Sequence, residues 1–94
     1  MKFTLLSPQS TLFEGEVDSV TVPGELGSFT VWPNHAALIS SLKEGDLVVR
    51  TKSADGKSSE QQTFTVDGGF VEVRDNAISV CVERVLENKA QALI

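Results

Sequence analysis

His35 is the only histidine of the chain, and it follows the turn signal Pro33-Asn34. An imidazole titrates near neutral pH, so it acts as a general base where a nucleophile and an orienting acid lie beside it. The sequence carries no nucleophile signature of the kind that hydrolases have around a serine or cysteine. Two hypotheses therefore stand for His35: a small hydrolase that uses it with an acid, or a hydrogen-bonding or interface histidine in a loop.

Three carboxylates, Glu14, Glu16 and Asp18, recur at every second position. Two such acids can serve acid–base catalysis, but a period of two in a strand is more typical of one solvated face. Cys81 lies between two valines, where a cysteine usually behaves as a small hydrophobe. No group of His, Cys, Asp and Glu has the spacing of metal ligands. The residues therefore predict no catalytic site, no metal and no cofactor.

The segment around His35 is rich in bulky apolar residues and glycine. Pro23, Gly24 and Gly27 predict turns rather than a phosphate-binding loop, because no Lys-Ser/Thr pair and no helix pattern follow them. The apolar residues there are Phe29, Trp32 and Leu38. They either fill the end of the hydrophobic core or form an exposed edge that anchors a protein partner.

The elements that must position these residues are strands. Valine, isoleucine and threonine number 22, against 15 leucines and alanines, which favours β-sheet. Turn signals recur about every 7 to 12 residues, as in a sandwich or barrel. They are Ser7-Pro8, Glu14-Gly15, Pro23-Gly24, Pro33-Asn34, Glu44-Gly45, Asp55-Gly56, Asp67-Gly68-Gly69 and Asp75-Asn76. The sequence therefore predicts an all-β fold, an antiparallel β-sandwich of about ten short strands.

Alternation of apolar and polar residues gives the strands of the second half an inner and an outer face. The residues predicted to be buried are Phe64, Val66, Val71, Val73, Ile78, Val80 and Val82. Asp75-Asn76 predicts a tight hairpin, and the polar residues 53–59 predict an exposed hairpin tip. Leu86, Ala90 and Leu93 have helical spacing, so residues 85–94 are expected to form a short helical or frayed tail after a sandwich domain over residues 1–84.

Composition excludes several classes of protein. The chain has 94 residues, a net charge of −5 and no apolar run near the roughly 20 residues of a membrane span. An acidic chain is a poor ligand for nucleic acid, since neutralising phosphates needs a basic surface. A single cysteine cannot form an internal disulfide bond. The apolar stretch among the first residues is too short for a signal peptide. We expect a soluble domain in a reducing compartment.

Four motifs in series resemble the epsilon subunit of F-type ATP synthases. The longest spans residues 22–38, VPGELGSFTVWPNHAAL, against a family pattern of roughly PGxxGxFGVLPxHAPL. Upstream, Ser7-Pro8 and residues 12–17 (LFEGEV) resemble the opening of the family. Downstream, residues 42–45 (LKEG) and 66–73 (VDGGFVEV) resemble two further segments. Together they cover about residues 3–83 in the right order.

The resemblance implies a ten-stranded sandwich in the rotor of the enzyme. Such a subunit catalyses nothing itself: it binds the gamma subunit and the c-ring of the central stalk and so couples proton translocation to ATP synthesis. It implies a peripheral place on the cytoplasmic face of a bacterial inner membrane, rather than the stromal face of a thylakoid. The partner-contact residues that it implies are Glu25, Ser28, Phe29, Trp32, Asn34 and His35.

Two departures from the family pattern change the expectations. Ser28 stands where relatives commonly have an acidic residue that contacts the c-ring, and Glu25 is the nearby substitute. Most relatives continue into a two-helix C-terminal domain, which residues 85–94 are too few to form. We therefore expect no inhibitory helix insertion and no nucleotide site. The alternative hypothesis is a free-standing ligand-binding β-sandwich whose pocket lies at residues 33–38.

Overall fold

The computed structural model describes residues 1–52, 56 and 59–93, and it places ten strands among them. The strands are β1 (Lys2–Leu6), β2 (Thr11–Glu16), β3 (Ser19–Val22), β4 (Phe29–Val31), β5 (Leu38–Leu42), β6 (Gly45–Lys52), β7 (Ser59–Val66), β8 (Gly69–Arg74), β9 (Ala77–Cys81) and β10 (Val85–Leu93). The described residues contain no helix. The prediction of an all-β fold with about ten short strands is confirmed.

The strands form two five-stranded sheets packed as a sandwich. Sheet A has the order β2-β1-β9-β8-β5, and sheet B has the order β10-β7-β6-β3-β4. Neighbouring strands pair antiparallel, as the alternation predicts, except that β1 pairs parallel with β9. Because most of the chain lies between these two strands, the length of their connection does not restrict their direction.

The core lies between the sheets, and the alternating apolar residues of each strand fill it. The seven residues that the sequence predicts as buried are all at most 4% exposed. Phe13 of β2 joins the two layers, since its ring centroid lies 5.7 Å from that of Phe3 in sheet A and 5.7 Å from that of Phe64 in sheet B. Aromatic pairs at this separation add to the burial of their apolar area.

The Asp75-Asn76 hairpin is confirmed. Both residues have left-handed backbones, with φ of 53° and 57°, and they join the antiparallel strands β8 and β9. Two consecutive positive φ angles give a turn whose twist matches that of the strands, and Asp and Asn tolerate them. The predicted tip at residues 53–59 falls largely outside the described residues, although β6 and β7 flank it with Lys52 opposite Ser59.

Two local predictions are wrong. Glu14-Gly15 is not a turn but lies inside β2, where Gly15 pairs with Phe3. The helix predicted after residue 84 is also contradicted, because Val85–Leu93 forms strand β10 along the edge of sheet B. Pairing with eight residues of β7 satisfies the backbone groups that face β7, and this tertiary contact outweighs the weak helical preference of a short segment.

Candidate functional site

Five of the six predicted contact residues lie in two separate loops, and the sixth, Phe29, begins strand β4, which connects the loops. In β4, Phe29 pairs with Val22 and Val31 pairs with Val20, so the strand runs along the sandwich from one end towards the other. Glu25 and Ser28 precede β4, and the loop with Trp32, Asn34 and His35 follows it. The structure therefore brings these residues to opposite ends of the sandwich and not into one site. They cannot all contact the same small ligand.

The loop of residues 23–28 ties the two sheets together at one end. Gly24 forms an isolated bridge with Leu42 of sheet A, and the Lys43 amide donates to the Pro23 carbonyl oxygen at 2.9 Å. The Glu25 amide donates to the Ser41 carbonyl oxygen at 3.2 Å. Gly24 has no room for a side chain, because a Cβ there would lie 2.9 Å from the Phe29 ring. These contacts hold the loop in one conformation.

The tip of this loop points into solvent. The Leu26 side chain is as exposed as in an extended peptide, at 106%, and Glu25 and Ser28 beside it are exposed too. A groove of about 570 Å³ lies where the loop meets β5 and is lined by Phe29 and Ile39, among others. The half-buried Phe29 packs against the core, so it supports the loop more than it offers a free contact.

The second loop, residues 32–37, lies at the end where β8 turns into β9. Its Asn34, with φ of 64°, donates its amide to the Asn76 side-chain oxygen at 2.8 Å. The His35 Nδ1 lies 2.8 Å from the Ala36 carbonyl oxygen, and no described carboxylate or hydroxyl bonds the ring. This arrangement lacks the acid and the nucleophile that the hydrolase hypothesis requires. Trp32 is exposed at 59%, whereas Leu38 packs on the core.

Two of the three carboxylates singled out in the sequence, Glu14 and Glu16, face solvent and pair with cations, whereas Asp18 is half-buried. The Glu16 carboxylate lies 3.1 Å from the N-terminal amine, and the Glu14 carboxylate lies 3.7 Å from Lys2 Nζ. These contacts agree with a solvated face and not with a pair of catalytic acids. Within residues 1–52, 56 and 59–93, no three His, Cys, Asp or Glu side chains are placed to hold a metal ion.

The outer face of sheet A carries a row of apolar side chains that was not predicted from the sequence. Phe70 of β8 pairs with Cys81 of β9, and Cys81 pairs with Leu6 of β1, so the three side chains stand side by side. Phe70 is exposed at 50%, and Ile39 on the neighbouring edge strand at 73%. The sequence signal for this row is that Phe70, Cys81 and Leu6 each fall at an outward-facing position of their strand. Their alignment side by side depends on the register between strands that lie far apart in the sequence.

A groove of about 370 Å³ opens along this row, and Leu6, Pro8, Phe70 and Cys81 contribute to its walls. It lies at the same end as the loop of residues 23–28, and Ser41, which lines the other groove, pairs with Phe70. The two grooves therefore form a continuous surface, which we call the sheet A surface. Exposed aromatic and aliphatic side chains in such a surface are typical anchors of protein contacts.

The outer face of sheet B differs in chemistry. The hydroxyls of Thr21 and Thr30 lie 2.8 Å apart, and the Thr65 hydroxyl donates to the Asp46 carboxylate at 2.7 Å. These side chains satisfy one another across neighbouring strands. An apolar partner thus finds exposed apolar area on sheet A and mainly hydrogen-bonding groups on sheet B.

The described residues contain no helix with the length and apolar content that crossing a bilayer requires.

Comparison with known proteins agrees with the fold. The family model for the β-sandwich domain of the ATP synthase delta/epsilon chain matches residues 1–88. The ATP synthase epsilon chain of Leptospira interrogans (serovar copenhageni) is 41% identical over 83 residues, which are 88% of this chain and 61% of that one. The chain thus spans about three fifths of that relative. The ATP synthase epsilon chain of Caulobacter vibrioides is 36% identical, over 93% of this chain and 94% of that one.

Solved structures share the fold. A chain of the Euglena gracilis mitochondrial ATP synthase (OSCP/F1/c-ring) superposes with a TM-score of 0.73 at 22% identity, over 94% of this chain and 51% of that one. A chain of the Tetrahymena thermophila mitochondrial ATP synthase central stalk/c-ring gives 0.71 at 23% identity, over 92% and 65%. With the family match over residues 1–88, these findings confirm the resemblance that the motifs indicate: the chain belongs to the ATP synthase delta/epsilon family of β-sandwich domains.

Proposed function

We propose that the chain is a non-catalytic subunit of the central stalk of a proton-translocating F-type ATP synthase. In this role it binds the gamma subunit and the c-ring and helps to couple proton translocation to ATP synthesis. Its relatives are named ATP synthase epsilon chains, and the Caulobacter relative consists of little beyond the length of this sandwich. A sandwich of this size is thus long enough to make up nearly a whole epsilon chain.

The observation that carries the proposal is the sheet A surface. None of the described residues covers the row of Phe70, Cys81 and Leu6, so its apolar surface is in contact with water. Association with a partner would remove this surface from water. We assign this surface to the gamma subunit. The docking of a flat apolar face against a helical shaft needs no enclosed pocket, and both grooves are open.

We assign the loop of residues 23–28 to the c-ring. Its hydrogen bonds to both sheets hold it, and Leu26 and Glu25 protrude from it. Glu25 supplies the carboxylate that relatives commonly carry at the position of Ser28, and Leu26 adds an apolar contact. Because this loop adjoins the sheet A surface, one end of the sandwich is able to touch gamma and the ring at once.

Trp32, Asn34 and His35 belong to a separate contact, because they lie at the opposite end from Glu25. The Asn34–Asn76 bond fixes their loop to the β8–β9 turn of sheet A, so we place them on the gamma side. The subunit works as a clamp in which each contact raises the effective concentration of the other. Its proposed location is the cytoplasmic face of a bacterial inner membrane, reached through the complex.

The proposal is tested by labelling Cys81, the only cysteine of the chain, with a maleimide in the presence and absence of the cognate gamma subunit. Gamma bound over the sheet A surface is expected to slow labelling about tenfold or more. Phe70→Ser is expected to weaken gamma binding about tenfold to thirtyfold, as for an aromatic anchor.

Leu86→Ser is the matched control, since Leu86 is exposed to nearly the same extent, 48% against 50%, but lies on the edge of sheet B. It is expected to bind gamma like the unmodified chain. Equal labelling rates with gamma bound, or equal binding losses in the two variants, would place the gamma contact elsewhere. Failure of gamma to bind at all would contradict the proposed function and favour a free-standing module.

A further inference from the structure

The outer face of sheet B holds an arginine that pairs with no carboxylate of the described residues. Arg50 of β6 is half-buried, and its Nη1 donates to the Thr21 hydroxyl at 3.1 Å. Among the residues that the structure describes, it forms no ion pair, although the chain has 13 acidic residues against 8 basic ones. Asp18 directly precedes β3 and its amide donates to the Arg50 carbonyl oxygen at 2.8 Å, yet its carboxylate does not pair with the guanidinium.

Arg50, Thr21 and Thr30 form a cluster in which hydrogen-bond donors outnumber the acceptors that they contact. The Thr21 and Thr30 hydroxyls, 2.8 Å apart, use one of their two protons on each other, and Thr21 also accepts from Arg50. One hydroxyl proton therefore remains, whichever threonine donates. A guanidinium has five N–H donors and no acceptor, and one of them is used here. The remaining groups fit a ligand that only accepts hydrogen bonds.

A carboxylate is such a ligand. Its two oxygens match the guanidinium fork, and charge-assisted bonds of this kind are stronger than neutral ones. Phosphate fits less well, because it carries about two negative charges at neutral pH and a single guanidinium neutralises only one of them. The side chain is already held: Arg50 is bonded to β3 through Thr21, so binding orders it less than it would a free arginine.

We propose that Arg50, Thr21 and Thr30 form a docking point for a carboxylate side chain of a protein partner on the outer face of sheet B. This surface is opposite to the one assigned to gamma. It gives the sandwich a second, polar interface that does not depend on the rotor role. A partner that presents a glutamate or aspartate to this face will be oriented by the guanidinium fork.

The side-chain NMR signal of Arg50 offers a readout at this site. The full chain is titrated at low salt with a blocked tetraglutamate peptide, with tetraglutamine as the neutral control. We expect a saturable shift of the Arg50 side-chain signal with tetraglutamate and none with tetraglutamine.

Arg50→Gln is expected to weaken tetraglutamate binding about tenfold or more. Arg74→Gln is the control, because Arg74 is an exposed arginine on sheet A, and it should bind like the unmodified chain. Thr21→Val, which keeps the guanidinium, should weaken binding less. Circular dichroism verifies the fold of each variant.

Three outcomes would overturn the proposal: an equal response to tetraglutamine, an unchanged affinity in a folded Arg50→Gln variant, or tighter binding of inorganic phosphate with the same dependence on Arg50. The last outcome would make the site a phosphate site. None of these outcomes bears on the gamma contact, which is read from Cys81.

Discussion

Gly69 is a residue whose identity the backbone requires. Its φ is 141°, and a Cβ there would overlap the carbonyl oxygen of Cys81 on the neighbouring strand. Glycine therefore lets β8 approach β9 at the point where the sheet A surface begins. Two other residue-scale features do not depend on a positive φ: Arg50, which has no ion pair among the described residues, and the protruding Leu26.

Gly69→Ala is expected to destabilise the fold by about 3 kcal/mol or more, because backbone strain and steric overlap add. Urea unfolding measures the loss. Gly27→Ala is the matched control: Gly27 has φ of 138°, but nothing lies within 4 Å of the Cβ position. It should cost only about 1–2 kcal/mol. Equal losses in the two variants would show that overlap with Cys81 contributes nothing.

At the scale of elements, β10 decides how sheet B ends. Helical spacing of three apolar residues predicts a helix there, yet the segment pairs with β7 from Val85 to Leu93 with an irregularity between Val85 and Glu87. As an edge strand, β10 has a hydrogen-bonding partner on one side only, whereas β9 lies between β1 and β8.

Amide hydrogen exchange is expected to protect every second amide over residues 87–93, because alternate amides of an edge strand face away from the neighbouring strand. The amides of β9 serve as the internal reference and should be protected without alternation. Consecutive protected amides over residues 87–93 would indicate a helix and contradict the strand.

At the scale of the molecule, Phe13 joins the sheets through its contacts with Phe3 and Phe64. In the proposed rotor role, the sandwich transmits force as one body only if its two layers stay packed. The outer faces differ in the groups they expose: sheet A carries apolar side chains, and sheet B carries hydrogen-bonding groups. A loop tied to both sheets lies at one end of the sandwich.

Phe13→Ala is expected to destabilise the sandwich by about 2–3 kcal/mol, since it leaves a cavity between the layers. For a domain of this size, that lowers the Tm by about 10 °C or more in a thermal scan. Leu12→Ala, at a neighbouring position exposed at 41%, should change stability by no more than about 0.5 kcal/mol. A similar Tm for both variants would show that Phe13 does not hold the layers together.

The amino-acid sequence by itself determined the all-β class, the buried faces of β7 to β9 and the Asp75-Asn76 hairpin, because alternation and turn chemistry act between residues close in the chain. Its motifs also identified the family. Tertiary structure alone decided the parallel pairing of β1 with β9, the strand at residues 85–93 and the meeting of Leu6, Phe70 and Cys81. It also set Glu25 and His35 at opposite ends. These features depend on register between strands distant in sequence, which no local pattern encodes.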